Sequence, residues 1–217
     1  MGRAISNKNV LAAQFEVAEF DGEWLASFGR PELRGTWIIW GGSGSGKTTF
    51  MLMLCKYLTR FGRVAYDSLE QGLSLSLQKA WERVDMAEAG SKIILLNKEE
   101  LPELKARLDR RKSPDIVVID SVQYLSGFNK AKLKELKKNY PDKLFIFISQ
   151  ADKAEKDPAD SIGKAVRYDA DVKIRTEGYK AFVTTRYEDR DKGEGGAPFV
   201  IWAEGAEAYW MNQLNNK

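Results

Sequence analysis

The sequence predicts an α/β fold: a mainly parallel central sheet flanked by helices, with antiparallel hairpins at the C-terminal end. Three observations carry this. Short apolar runs alternate with helical patterns as far as Gln150. Residues 116–119 are apolar at every position, as a strand covered on both faces would be. A glycine-rich loop joins the first apolar run to the first helical pattern.

In order, residues 36–40 read as a buried strand and 49–61 as a helix with Leu52, Leu54, Cys55 and Leu58 inward. Strands are expected at 63–67, 93–96, 116–119 and 144–149. Helices are expected at 73–84, 101–111 and 131–140, the last lysine-rich and stopped by Pro141. Residues 151–169 are polar, with little periodicity, and read as a loop. Residues 172–175 and 180–186 then read as strands joined at Gly178. A last hairpin is expected from 199–202 and 208–211, turning at Gly205. Residues 1–30 form a short helical preface, with Phe20 and Trp24 on the core, and 31–217 form one domain.

Composition narrows the chemistry. The 217 residues are 43% hydrophobic and 30% charged, with net charge +3. That balance permits a nucleic-acid partner without demanding one. There is no histidine and one cysteine, Cys55. Histidine bases, histidine metal sites and thiolate zinc sites are therefore excluded, and a hard cation on oxygen ligands is expected instead. The single thiol, the lack of a signal-like apolar core and the absence of an apolar run of ~18 residues point to the cytoplasm and away from a membrane. The opening Met1-Gly2 with Ser6 fits a loose acylation pattern, read here as chance agreement with a short motif.

The loop itself is Gly41-Gly42-Ser43-Gly44-Ser45-Gly46-Lys47-Thr48, followed by Thr49. A glycine, four residues and Gly-Lys-Thr is the spacing of a phosphate-binding P-loop. The glycines turn backbone N–H groups onto phosphate oxygens, Lys47 reaches the β- and γ-phosphates, and the Thr48 hydroxyl suits Mg2+. The strand before it and the helix after it are the context the motif requires. Asp120, ending the apolar run 116–119, is the expected second Mg2+ ligand, with a loop cap as the plainer role. Glu70, just past the second strand, is the candidate general base for water. Its plainer role is a carboxylate favouring a helix N-terminus.

Four stretches, 40–49, 66–71, 117–125 and 147–150, resemble in order the RecA superfamily of ATPases, particularly its replicative-helicase, RadA and KaiC branches. The resemblance implies ATP and Mg2+ as cofactors, Glu70 as base, Gln150 as the sensor of the γ-phosphate, and a homo-oligomer, hexamer or filament. It also implies a late-strand cation reaching the neighbouring subunit's nucleotide. Arg186 takes that place, although Glu188 stands where a second cation is usual and Arg190 follows only later. Residues 151–168 correspond to the family's central DNA-binding loop, which makes single-stranded DNA the implied partner through Lys153, Lys164, Arg167 and Tyr168. Asp152, Glu155, Asp157 and Asp160 balance the bases of that loop, so its charge alone decides nothing. Trp81, Trp202 and Trp210 are expected in the core or at an interface. The GTPase motifs are missing: Asp120-Ser121-Val122-Gln123 is not Asp-x-x-Gly, and Gln150-Ala151-Asp152-Lys153 does not read guanine. Two rivals to a DNA-acting ATPase are an oligomeric ATPase switch that remodels a protein partner and a P-loop small-molecule kinase.

Overall fold

The computed structural model describes residues 4–215, so the Met1-Gly2 start of the acylation pattern lies outside the described residues. Two short helices, α1 (Asn7–Leu11) and α2 (Gly22–Phe28), precede β1 (Gly35–Gly41) and α3 (Lys47–Leu58). Then follow β2 (Val64–Ser68), α4 (Leu75–Arg83), β3 (Ile93–Leu96), α5 (Leu101–Leu108), β4 (Ile116–Asp120), α6 (Lys130–Asn139) and β5 (Leu144–Gln150). The chain ends with α7 (Ser161–Asp169), β6 (Val172–Glu177), β7 (Lys180–Thr185), β8 (Phe199–Val200) and α8 (Ala203–Asn215).

The strands form one sheet in the order β3-β2-β4-β5-β1-β6-β7-β8. The first six of these run parallel, and β7 and β8 add antiparallel to β6. Side chains alternate across the pleat, so β1 serves two cores. Trp37 and Ile39 pack with Phe50, Leu54 and Tyr66 on the α3 face. Ile38 and Trp40 pack with Phe145, Phe147, Leu133 and Leu136 on the other. The preface packs where expected: Phe20 is buried, and Trp24 stacks on Tyr57 of α3 with centroids 4.7 Å apart. No helix among the described residues is long and apolar enough to cross a membrane.

Two expectations are corrected. The stretch 151–169 is not loop throughout, because its second half is α7. The Asp160 carboxylate caps it, accepting from the Gly163 N–H at 2.6 Å, and Ile162 and Val166 face the core one turn apart. Gly163 broke the helical pattern in the sequence, yet a Cβ there would lie 2.7 Å from both Pro158 and Ser149, so the close packing requires glycine. Residues 208–211 belong to α8 rather than to a hairpin. Gly205 is not a turn: a Cβ on it would lie 2.1 Å from the Trp202 ring. Trp202 itself is half-exposed rather than buried.

Candidate nucleotide site

Parallel strands deliver their C-terminal ends to one edge of the sheet, and a loop there opens toward solvent. Gly41 ends β1 and lies in register with Gln150, which ends β5. Asp120 ends β4 and lies opposite Ser68 and Ile148, while Glu70 follows β2 directly. The four positions therefore meet although they are distant in sequence. They border a cavity of about 570 Å³ that is also lined by Gly42, Ser43, Gly44, Gly46, Lys47, Thr48 and Thr49.

The glycine loop is held from below. Gly44 and Gly46 take φ of +77° and +92°, a region L side chains rarely enter, and Gly46 starts α3. A Cβ on Gly41 would lie 2.1 Å from Thr176 Oγ1 of β6, and one on Gly42 would lie 2.2 Å from Glu155 Oε1. The Ser45 hydroxyl turns away from the cavity and sits 2.8 Å from Thr176 Oγ1, tying the loop to the sheet.

The acidic groups are interlinked. Asp120 is largely buried, and burial raises its carboxyl above the usual range. The Tyr66 hydroxyl donates to its Oδ2 and draws it back down, as does the Lys47 ammonium, while the Glu70 charge pushes it up. The Glu70 N–H donates to the Asp120 carbonyl oxygen at 3.1 Å, and the Ser121 hydroxyl donates to Glu70 Oε2 at 3.4 Å. Beneath, Gln123 Nε2 donates to Ser149 Oγ at 3.1 Å. The Thr48 hydroxyl and the Asp120 carboxylate are hard oxygen donors on one cavity, a set that fits Mg2+.

The other expected residues lie elsewhere. Arg186 follows β7, at the opposite end of the sheet from the glycine loop, where its Nη1 pairs with Asp171 at 2.9 Å. Arg190 pairs with Glu188 at 2.8 Å. Lys153, Lys164 and Tyr168 project into solvent. Arg167 does not join them: it pairs with Asp157 at 2.9 Å and lies over the Trp40 ring, 5.2 Å from its centroid. Tyr66, Ser121, Thr176 and Tyr179 escaped the sequence reading as site residues. Only the pairing of distant strands brings them to the loop, and the φ of +57° at Tyr179 has no signal in its residue type.

No protein-family model matches the chain, and no curated protein matches it by sequence. Solved structures do resemble it. The ATPase domain of a helicase is similar with a TM-score of 0.57 and 18% identity, over 81% of this chain and 84% of that one. The flagellar accessory protein FlaH from Methanocaldococcus jannaschii is similar with a TM-score of 0.54 and 19% identity, over 77% and 84%. With its sheet order and its glycine loop between β1 and α3, the chain has the RecA-like fold of the P-loop ATPases.

Proposed function

We propose that this chain is a Mg2+-dependent ATP hydrolase that assembles with copies of itself and acts on single-stranded DNA. One observation carries the reading: a single cavity gathers the glycine loop, Lys47, Thr48, Asp120, Glu70 and Gln150. Backbone N–H groups of the loop and the Lys47 ammonium hold the phosphates, and the N-terminus of α3 adds its positive end. Thr48 and Asp120 hold Mg2+, which when bound neutralises charge on the β- and γ-phosphates. Glu70 takes the proton of the attacking water, oriented by the Ser121 hydroxyl at its Oε2. Gln150, at the cavity mouth, contacts the terminal phosphate. The DNA part rests on exposed Lys153, Lys164 and Tyr168, placed just beyond Gln150 on the same side of the sheet.

Phosphate release from ATP, with and without Mg2+ and single-stranded DNA, tests the proposal in one series. The expected result is Mg2+-dependent release that DNA accelerates and Lys47→Ala abolishes. Release indifferent to DNA would leave an ATPase working on a protein partner. A phosphorylated metabolite in place of free phosphate would make it a kinase.

A further inference from the structure

The phosphate cavity has a neighbour. A second hollow of about 730 Å³ lies along the outer face of α3 and meets the first at Thr49, which lines both. Their chemistry differs. Glycine backbone, carboxylates and amides wall the first, whereas Trp24, Met53, Val84, Ile201 and Trp202 give the second an apolar floor. Thr49 and Met53 stand one turn apart on α3, so the floor continues directly from the phosphate loop.

Trp202 is fixed but uncovered. Its six-membered ring lies on the backbone of Gly205, where a Cβ would come within 2.1 Å, and its edge meets Tyr179 with centroids 5.0 Å apart at 82°. Even so, 52% of the residue is exposed. Tyr179 lines the phosphate cavity, so the two rings form a corner joining the hollows. Ile201 anchors the same segment to the loop, 3.2 Å from where a Cβ on Gly46 would sit. The cations of the rim are unequal. Lys56 is held by Glu88 at 2.7 Å and by the Val84 carbonyl oxygen at 3.0 Å, and Arg60 is held by Asp21 at 2.8 Å. Arg83 instead reaches the join, its Nη1 3.4 Å from Thr49 Oγ1.

We infer that this second hollow seats the nucleoside of the ligand whose phosphates the glycine loop holds. The base is a purine stacked on Trp202, and Arg83 stands at the sugar–phosphate junction. The inference rests on the nucleotide reading above. A rigid aromatic plate offers a flat base a large contact at little entropic cost, and an apolar seat beside a polar phosphate site is what a nucleoside phosphate needs. A purine presents the wider stacking face to the fixed ring, which is why the larger base is assigned.

Calorimetric titration of the full chain with MgATP, MgCTP and Mg-tripolyphosphate separates the two halves of the site. The parent is expected to bind ATP at least about tenfold more tightly than tripolyphosphate, the gain expected of a stacked base, and more tightly than CTP. Trp202→Ala should remove most of that gain while tripolyphosphate affinity stays within about twofold, and Trp202→Phe should restore it by returning a ring to Gly205. Val84→Arg, which intrudes on the hollow from the end of α4, should act like Trp202→Ala. An unchanged ratio of ATP to tripolyphosphate affinity in both Trp202→Ala and Val84→Arg would overturn the seat. Equal binding of ATP and CTP by the parent would overturn the purine. A parent that ignores tripolyphosphate and ATP alike would overturn the phosphate site itself, an outcome distinct from the others.

Discussion

The Tyr66 hydroxyl, buried in β2, donates a hydrogen bond to the carboxylate of Asp120 at the end of β4. The bond fixes one oxygen of a carboxylate that would otherwise turn freely on its strand end. Groups that orient a metal ligand in this way are commonly worth about 10–100-fold in metal affinity. Tyr66→Phe keeps the ring packed against Trp81 and removes only the donor. The Mg2+ concentration at half-maximal nucleotide binding should rise about tenfold, with an unchanged circular dichroism spectrum. The same half-maximal Mg2+ in parent and variant would count against the role of Tyr66.

Glu70→Gln should bind ATP normally and hydrolyse it about 10²–10⁴ times more slowly, since the amide keeps the shape and cannot take a proton. Nucleotide affinity and single-turnover rates measure the two effects separately. A rate within a few-fold of the parent would remove Glu70 as base.

Asp67 gives the fold a pH dependence. Its carboxyl is fully buried in β2, Oδ1 accepts from the Glu99 N–H at 3.1 Å, and Oδ2 has no partner among the described residues. Burial pushes it up from 3.8 to about 7. Between those values the folded chain holds a proton that the unfolded chain has lost. Its contribution to stability is therefore full below pH ~4, falls as pH rises and levels off above about 7. Denaturant midpoints from pH 4 to 8 should show that decline, and Asp67→Asn should flatten it.

The exposed lysines beyond β5 should account for salt-dependent DNA binding. Lys153→Ala with Lys164→Ala should lower the slope of log affinity against log salt by about 0.7 per contact on single strands. Arg167→Ala should lower the melting temperature instead, because it strips a pair with Asp157 and the contact over Trp40. An unchanged slope in the double variant would move the DNA surface elsewhere.

Arg186 is the test of a shared site. Its pair with Asp171 is half open to solvent and worth little to the fold, about 0–1 kcal/mol. Arg186→Ala should therefore fold and bind ATP yet hydrolyse it poorly, and mixing it with Glu70→Gln should restore part of the activity. Some mixed interfaces then join an intact Glu70 to an intact Arg186. An inactive mixture, after subunit exchange has been verified, would refute sharing.

The strands were legible because each is an apolar run, and the phosphate loop because its chemistry is confined to adjacent residues. Both late helices were hidden by one glycine each. Gly163 and Gly205 are there for close contacts with Pro158, Ser149 and Trp202, and such contacts have no trace in local periodicity. The same holds for Tyr66, Thr176, Tyr179 and Trp202 around the site. Sheet order assembles them, and only pairing across long loops fixes that order.

The Glu155 carboxylate rests on Gly42, so the segment that carries Lys153 touches the loop that holds phosphate. Ligands bound at the two places cannot be energetically independent if either shifts that contact. Thermodynamic reciprocity then fixes their relation: whatever factor nucleotide imposes on the affinity of the outer segment for its ligand, that ligand imposes on the affinity for nucleotide. A single carboxylate lying against a glycine thus gives the chain the means to time one binding event by another.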